Sequence, residues 1–393
     1  MNREILRADV QEFIRDNLKA DLSRLILKGS PFPDVSIQKI AAQIAGLKTA
    51  EKKLPTWFKT PGIIFPPRLN LEQTSSEITA EYKASLISGK TLVDITGGLG
   101  IDTFHFSQKV EKVHNFEINK NLAEIAAHNF AVLGANNITP HPKDGLNFLR
   151  NTSENFDWIF ADPARRDEHG GKVFRFVDCQ PDIPANLQLL FEHTQNILIK
   201  TSPLLDLSAG IEELQNVAEI HIVAVENEVK ELLWLLKKDF SSEEIRIKTI
   251  NFQKKGKQEF ETTLSSKNQD VEYSLPEKYL YEPNAAIMKS GCFAELAEVT
   301  ATKELHPNSH LYTSPEEKEF PGRCFEVSDL LVFNKAQLKK RFNRKKANIT
   351  TRNFPESVAE IRKKFKIKEG GKDYLFFTTN LKEEKIVLVC RKL

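Results

Sequence analysis

Cysteine is scarce: Cys179, Cys292, Cys324 and Cys390 are the four in 393 residues. They are scattered, with no C-x-x-C pair and no histidine pair at ligand spacing, so neither a disulfide framework nor a zinc site is indicated. Long hydrophobic runs are missing too; none approaches the ~18 residues of a membrane span. The opening MNREILRADVQEFIRDNL is a charged amphipathic pattern without the apolar segment of a signal peptide, which leads us to expect a cytoplasmic protein. Repeats and low-complexity tracts are absent, and nothing calls for a metal. The 40% hydrophobic and 28% charged fractions are those of an ordinary globular chain, long enough for two or three domains.

What is present is unevenly distributed. The net charge of +2 conceals a basic end: residues 331–393 hold 18 Lys and Arg against 6 Asp and Glu, a local +12 that leaves about −10 elsewhere. Two basic runs, KKRFNRKK (339–346 with its leading lysine) and IRKKFKIK (361–368), carry Phe342 and Phe365 within them and Phe354 between. Such runs are either solvated helix faces or the footprint of a nucleic-acid backbone; with aromatics interleaved, RNA becomes a candidate partner.

Residues 1–70 read as helical, with Ile5, Phe13, Leu18, Leu22 and Leu25, then Ile37, Ile40, Ile44 and Leu47, at three- and four-residue spacing. From Lys90 strand-like and helix-like segments alternate: TLVDI, VHNFEI, ITPHP, FDWIFAD, NILIK and IHIVAVE, the last followed by KELLWLLKK in the place of a helix. That rhythm predicts an α/β fold with a largely parallel sheet over 71–265, whose ligands sit beyond the carboxyl ends of the strands. IRIKTINF (245–252) is a candidate last strand, 265–278 a linker, 275–320 a small connecting or ferredoxin-like domain, and 321–393 a basic α+β domain.

The densest motif is DITGGLGID (94–102). A dinucleotide fingerprint, G-x-G-x-x-G, would use Gly98 and Gly100, but its third position is Thr103. Asp94, before the loop, would repel a pyrophosphate yet can pair with a cationic amino acid. S-adenosylmethionine offers such a group and no phosphate. On this reading Thr96, Gly97, Gly98, Gly100 and Asp102 shape the loop, Glu117 accepts the ribose hydroxyls, Asp144 in PKDGLNFL meets the adenine amino group, and Asp162 in FADPARRD ends the fourth strand. Each acid alone can be a helix cap or turn residue; four acids at four successive strand ends make a pattern. A nicotinamide-dependent dehydrogenase is the competing reading, disfavoured by the missing glycine and Asp94.

DITGGLGID, FEIN and ADPARRD together resemble a class I S-adenosylmethionine-dependent methyltransferase. YEPNAAIMKSG (281–291) and the stretch from FEVSDLLVFNKAQLKKRF to the C-terminus resemble the THUMP-like domain that accompanies one bacterial, Bacteroidetes-type family of them, and EQTSSEITAEYKA (72–84) also looks like that family. The resemblance implies a Rossmann-like seven-stranded methyltransferase sheet after a helical N-terminal domain, S-adenosyl-L-methionine as methyl donor, and an RNA substrate.

Methyl transfer from a sulfonium is mostly a matter of positioning. Methylases of planar amines often carry an acid or Asn, two prolines and an aromatic at the fourth strand's end. Here Asp162 and Pro163 are kept, while Ala164 and Arg165 stand where the second proline and the ring would be, which leaves base-amine specificity open. Arg165 and Arg166 can clamp a phosphate, stack on a base, or pair with Asp167 or Glu168. No cysteine occurs in ADPA or KTSPLLD (200–206), against the nucleophile that carbon methylation of a pyrimidine needs. Asp162, Pro163 and Arg165 are therefore the candidate catalytic residues, with Lys200, Thr201, Ser202 and Pro203 lining the acceptor side. His105 and His114 read as core or surface. A third reading is an RNA-binding protein on an inactive methyltransferase fold.

Overall fold

The computed structural model describes residues 3–66, 71, 74–165, 175–241, 244–264 and 271–393, with Arg165 described by its backbone. Four helices come first: α1 (Ala8–Asp16), α2 (Leu22–Lys28), α3 (Ile37–Lys53) and α4 (Pro55–Lys59). The sequence accounts for their limits. Asp21 caps α2 by accepting from the Ser23 and Arg24 amides, and proline opens α4, where its missing N–H costs nothing. α3 buries Ile37, Ile40, Ala41 and Ile44, one face of a helix. The irregular segment 63–65 is latched by two buried amide side chains: Gln43 bonds the Ile63 carbonyl and the Phe65 amide, and Asn129 bonds both backbone groups of Ile64. Those bonds satisfy backbone that belongs to no helix or strand. Helix α5 (Glu77–Ser85) follows behind a Ser76–Thr79 capping box.

The alternating region forms β1 (Thr91–Asp94), α6 (Ile101–Phe106), β2 (Lys112–Phe116), α7 (Lys120–Val132), β3 (Ile138–His141), α8 (Gly145–Arg150), β4 (Trp158–Ala161), α9 (Ile183–His193), β5 (Asn196–Thr201), α10 (Leu207–Glu213), β6 (Val217–Val225), β7 (Glu228–Lys237), β8 (Ile245–Phe252) and β9 (Lys257–Leu264). Strand order is β9-β8-β6-β7-β5-β4-β1-β2-β3. β1 pairs in parallel with β2 and β4, β2 with β3, and β4 with β5, so the order reverses between β1 and β4. This is the doubly wound arrangement with its switch point at the ends of β1 and β4. The sheet continues beyond the seven strands that the resemblance implies, through β8 and β9.

KELLWLLKK is strand β7, not a helix. Glu226 and Asn227 both adopt left-handed backbone (φ 51° and 64°), a two-residue turn, and Glu231 to Leu236 are all buried. A strand covered on both faces loses its polar alternation, and its apolar run then reads like a buried helix.

By compactness the chain divides into two units, Met1–Ala218 with Leu233–Ser241, and Glu219–Leu232 with Ser242–Leu393. In the second, a seven-stranded sheet has the order β11-β12-β10-β13-β16-β15-β14, where β10 is Tyr279–Pro283, β11 Lys303–Glu304, β12 Tyr312–Ser314, β13 Gly322–Val332, β14 Asn348–Thr351, β15 Asp373–Thr379 and β16 Lys385–Lys392. Helices α11 (Ala285–Ser290), α12 (Phe293–Thr300), α13 (Lys335–Phe342) and α14 (Val358–Phe365) accompany it. β15 and β16 feed two cores by alternation. Leu375, Phe377, Val387 and Val389 pack with Leu338, Phe342, Ile361 and Phe365, while Phe376, Ile386 and Leu388 pack with Leu280 and Phe325. The phenylalanines interleaved with the basic runs are thus core: Phe342 and Phe365 are buried and Phe354 packs against them, so they hold the helices down and present no ring to a base. The first six residues expected as linker, 265–270, lie outside the described residues.

Among the described residues, no helix is long and apolar enough to cross a membrane, and no group of three or more His, Cys, Asp or Glu could hold a metal ion.

Candidate active site

At the switch point the carboxyl end of β1 delivers Asp94 into the interior, 1% exposed. Its Oδ1 accepts from the Thr96 amide at 3.0 Å, and its Oδ2 from the Thr103 hydroxyl at 2.5 Å. Thr103 in turn accepts from Asn115 Nδ2 at 2.7 Å, so the donor chain runs Asn115 to Thr103 to Asp94. Burial pushes the Asp94 carboxyl up to about 7, against these two hydrogen bonds and with help from Asp102 and Asp162. Such an acid is poised to ionise when a cation arrives.

The loop after it is built on close approach. The Gly97 amide donates to the Phe116 carbonyl at 2.7 Å, and a Cβ there would fall 2.1 Å from Asn115 Nδ2. Gly100, at φ +86°, turns the chain into α6, and a Cβ would lie 2.2 Å from the Phe130 ring. Gly98, at φ +56°, would bring a Cβ no closer than 3.9 Å to the Thr96 carbonyl oxygen, and its amide donates to Glu117 Oε2 at 2.9 Å. The other Glu117 oxygen accepts from the Asn119 amide at 2.7 Å. Glu117 is therefore brought onto the glycine loop. Asp144 is exposed and caps α8 through the Leu146 and Asn147 amides. Its neighbour Gly145 packs against the residue that follows β1, where a Cβ would meet Ile95 Cα at 2.8 Å.

The fourth acid belongs to a chain of charges. Asp162 donates its amide to Thr96 Oγ1 at 2.7 Å, which links the ends of β4 and β1. Its carboxylate is held by the Lys200 ammonium, which comes from the end of neighbouring β5 and also lies 3.8 Å from Asp102 Oδ2. Asp102 is paired with fully buried Lys83 of α5 at 3.2 Å and accepts from Ser75 at 2.8 Å. Burial alone would raise the Asp102 carboxyl, but Lys83, then Lys200 and Ser75, hold it below the ordinary carboxylate range. Asp102 thus faces inward, between two lysines. Ser75 and Lys83 were not among the candidates from sequence. They lie in EQTSSEITAEYKA, and the available signal was a lysine on the buried face of a short helix, three residues from Ala80, where a cation needs a partner.

Thr201 accepts from the buried Trp234 indole at 2.9 Å, which anchors the end of β5, while Ser202 and Pro203 begin the turn after it. Pro163 is buried. Arg165 pairs with Cys179 through backbone in a two-residue ribbon, Ala164–Arg165 with Cys179–Gln180; its side chain, and Arg166, Asp167 and Glu168, lie outside the described residues. The ribbon brings Cys179 to the β4 side, which its sequence distance conceals. Its thiol is buried and donates toward the Arg175 carbonyl at 3.9 Å.

His114 stacks on His141 with ring nitrogens 3.1 Å apart, and burial pushes it down to about 4. His105 is buried and lowered for the same reason, and neither of its ring nitrogens has a hydrogen-bond partner among the described residues.

The donor set fits S-adenosylmethionine: a buried acid for a cation, a glycine loop with space at Gly98, and a second acid, Glu117, already accepting N–H donors. No lysine or arginine lies in 94–103 to receive a pyrophosphate.

Residues 279–321 match the model of a ferredoxin-like domain, and residues 322–392 that of a THUMP domain-like family. A protein of Porphyromonas gingivalis W83, designated a methyltransferase in its crystal structure, is similar over the whole chain: 32% identity, 100% of this chain and 98% of that one, TM-score 0.84. Partial similarity extends to an rRNA methylase of Streptococcus thermophilus (15% identity, 41% and 94% covered, TM-score 0.30) and to the M. jannaschii tRNA m1G37 methyltransferase (15%, 42% and 49%, TM-score 0.29); at these scores neither carries weight. No curated protein matches.

Proposed function

The chain belongs to this bacterial methyltransferase family with ferredoxin-like and THUMP-like C-terminal domains, and from that premise we propose that it transfers the methyl group of S-adenosylmethionine to a structured RNA. The observation that carries the donor assignment is Asp94: a carboxyl buried at the switch point, and pushed up to about 7 by that burial, gains a cation as its natural partner. In this reading Asp94 faces the donor's cationic end, and the backbone of Thr96, Gly97, Gly98 and Gly100 lies along it. Glu117 exchanges its present N–H donors for ribose hydroxyls, and Asp144 takes the adenine amine. Asp102 acts from behind, setting Lys83 and Lys200. When bound, the donor supplies an activated methyl group on a good leaving group; the protein's task is alignment of the acceptor.

The RNA part rests on the second unit. Arg344 and Lys366, Lys345 and Lys368, and Ala347 and Lys368 are joined by backbone hydrogen bonds of 2.9–3.1 Å, so the ends of the two basic runs lie side by side. Lys345, Lys346, Lys366 and Lys368 are exposed. Four exposed lysines on neighbouring backbone segments, with the interleaved phenylalanines turned to the core, suit a phosphate backbone better than unpaired bases. Calorimetric titration with S-adenosylmethionine, followed by tritium transfer to total RNA from a strain lacking the gene, tests both halves. Protection by NAD in place of S-adenosylmethionine would instead support a dehydrogenase.

A further inference from the structure

We propose that the atom methylated is a hydroxyl oxygen of the RNA, the ribose 2′-hydroxyl, received by the Asp162–Lys200 pair; this rests on the reading of the chain as an RNA methyltransferase. Asp162 and Lys200 stand at the ends of adjacent parallel strands, and the Lys200 ammonium holds one oxygen of the Asp162 carboxylate. The lysine side chain is 10% exposed and the aspartate 37%, so the carboxylate is the face that an incoming group meets.

The sign of the charge decides between acceptors. A neutral amine nitrogen becomes positive as it bonds to the methyl carbon, and a fixed ammonium at that point opposes the change. A hydroxyl oxygen gains negative character as it gives up its proton, and the same ammonium stabilises it. Lys200 also occupies a carboxylate oxygen that would otherwise accept an amine N–H. After Pro163, Ala164 and Arg165 stand where amine methylases often carry a second proline and an aromatic ring, and neither side chain is aromatic. An alcohol, unlike an amine, needs a base to become a competent nucleophile, and the outward oxygen of Asp162 is that base. Asp102, with Lys83 behind it, is a positioning residue that keeps Lys200 directed at Asp162. In the step, the oxygen–carbon bond forms as the carbon–sulfur bond breaks. The sulfur keeps the electron pair, and the hydroxyl proton passes to Asp162 and on to water.

The full-length protein is incubated with tritiated S-adenosylmethionine and total RNA from a strain lacking the gene, and the RNA is then hydrolysed in alkali. A methylated 2′-oxygen cannot attack the neighbouring phosphate, so the label should appear in alkali-stable dinucleotides. Label in mononucleotides overturns the hydroxyl assignment and leaves the RNA methyltransferase standing. No label in RNA, with calorimetric donor binding intact, overturns the RNA reading and this inference with it. The Lys200→Met variant should bind the donor within about threefold of wild type by calorimetry while transfer falls at least about 100-fold; transfer retained within threefold would refute the role of Lys200.

Discussion

Because Asp94 is buried with its carboxyl raised to about 7, binding of a cationic donor should be coupled to loss of a proton. Only the ionised form pairs with the cation, so the apparent affinity scales with the ionised fraction of the free protein. With a midpoint near 7, that fraction is about one-eleventh at pH 6, one-half at pH 7 and ten-elevenths at pH 8, so S-adenosylmethionine should bind about tenfold more weakly at pH 6 than at pH 8. The sign follows from linkage. Between the ordinary value of 3.8 and about 7 the folded protein holds a proton that the unfolded chain has released. Asp94 therefore favours the fold most at low pH, and that contribution is lost as pH rises through 7. Stabilisation by the donor should accordingly grow from pH 6 to 8. His105, His114 and His141 are all pushed below the usual histidine range by burial, and His114, pushed down to about 4, stays neutral over this interval. Calorimetry in two buffers of different ionisation enthalpy should give about 0.9 proton released per donor bound at pH 6. Asp94→Asn should flatten the pH dependence, with affinity at or below the wild-type value at pH 6. Affinity constant within twofold over this range, or an unchanged slope in the variant, refutes the pairing of Asp94 with the cation.

Other perturbations probe neighbouring parts of the same construction. Gly100→Ala combines a 2.2 Å clash with the Phe130 ring and a backbone at φ +86°, and should cost about 2–4 kcal/mol in chemical denaturation, against about 1 kcal/mol for Gly98→Ala, which meets no clash. Lys83→Met leaves Asp102 buried without its nearest cation and should destabilise by about 3 kcal/mol or more. The double variant with Asp102→Asn should recover most of that loss, since the buried charge deprived of its nearest cation is gone. Replacing exposed Lys345, Lys346, Lys366 and Lys368 with glutamine should weaken RNA binding similarly across sequences and lower the slope of log affinity against log salt by about three. An unchanged slope would place the RNA elsewhere.

The strands were legible wherever the sheet has one face that differs from the other or a turn signal at each end, which covers β1 to β6 and β8. β7 was not, because burial of Glu231 to Leu236 removes the alternation that distinguishes a strand from a helix. The same erasure works on side-chain roles. Phe342, Phe354 and Phe365 stand among lysines in the sequence and invite a reading as base-stacking rings, yet helical spacing turns Phe342 and Phe365 inward, and Phe354, in the segment between the helices, packs against the same core. A pattern of two residue types in one run does not say whether they share a face.

At the site, acids at strand ends can be found by position alone, because the carboxyl end of a parallel strand is a fixed place in the fold. Their partners have no such address. Lys83 reaches Asp102 from a helix that precedes the sheet, and Lys200 reaches Asp162 from the next strand, so each ion pair joins residues that only the three-dimensional structure makes adjacent. That difference bears on chemistry. On the proposed reading the acids hold the cationic donor, whereas the charge on the acceptor side depends on whether Asp162 stands alone or beside an ammonium. A solitary carboxylate would favour an amine, whose nitrogen becomes positive during transfer. A carboxylate neutralised by Lys200, with Asp102 and Lys83 balanced behind it, favours an oxygen that becomes negative. On this proposal the choice of acceptor atom lies in the lysines, and it is there that the site's specificity should be sought.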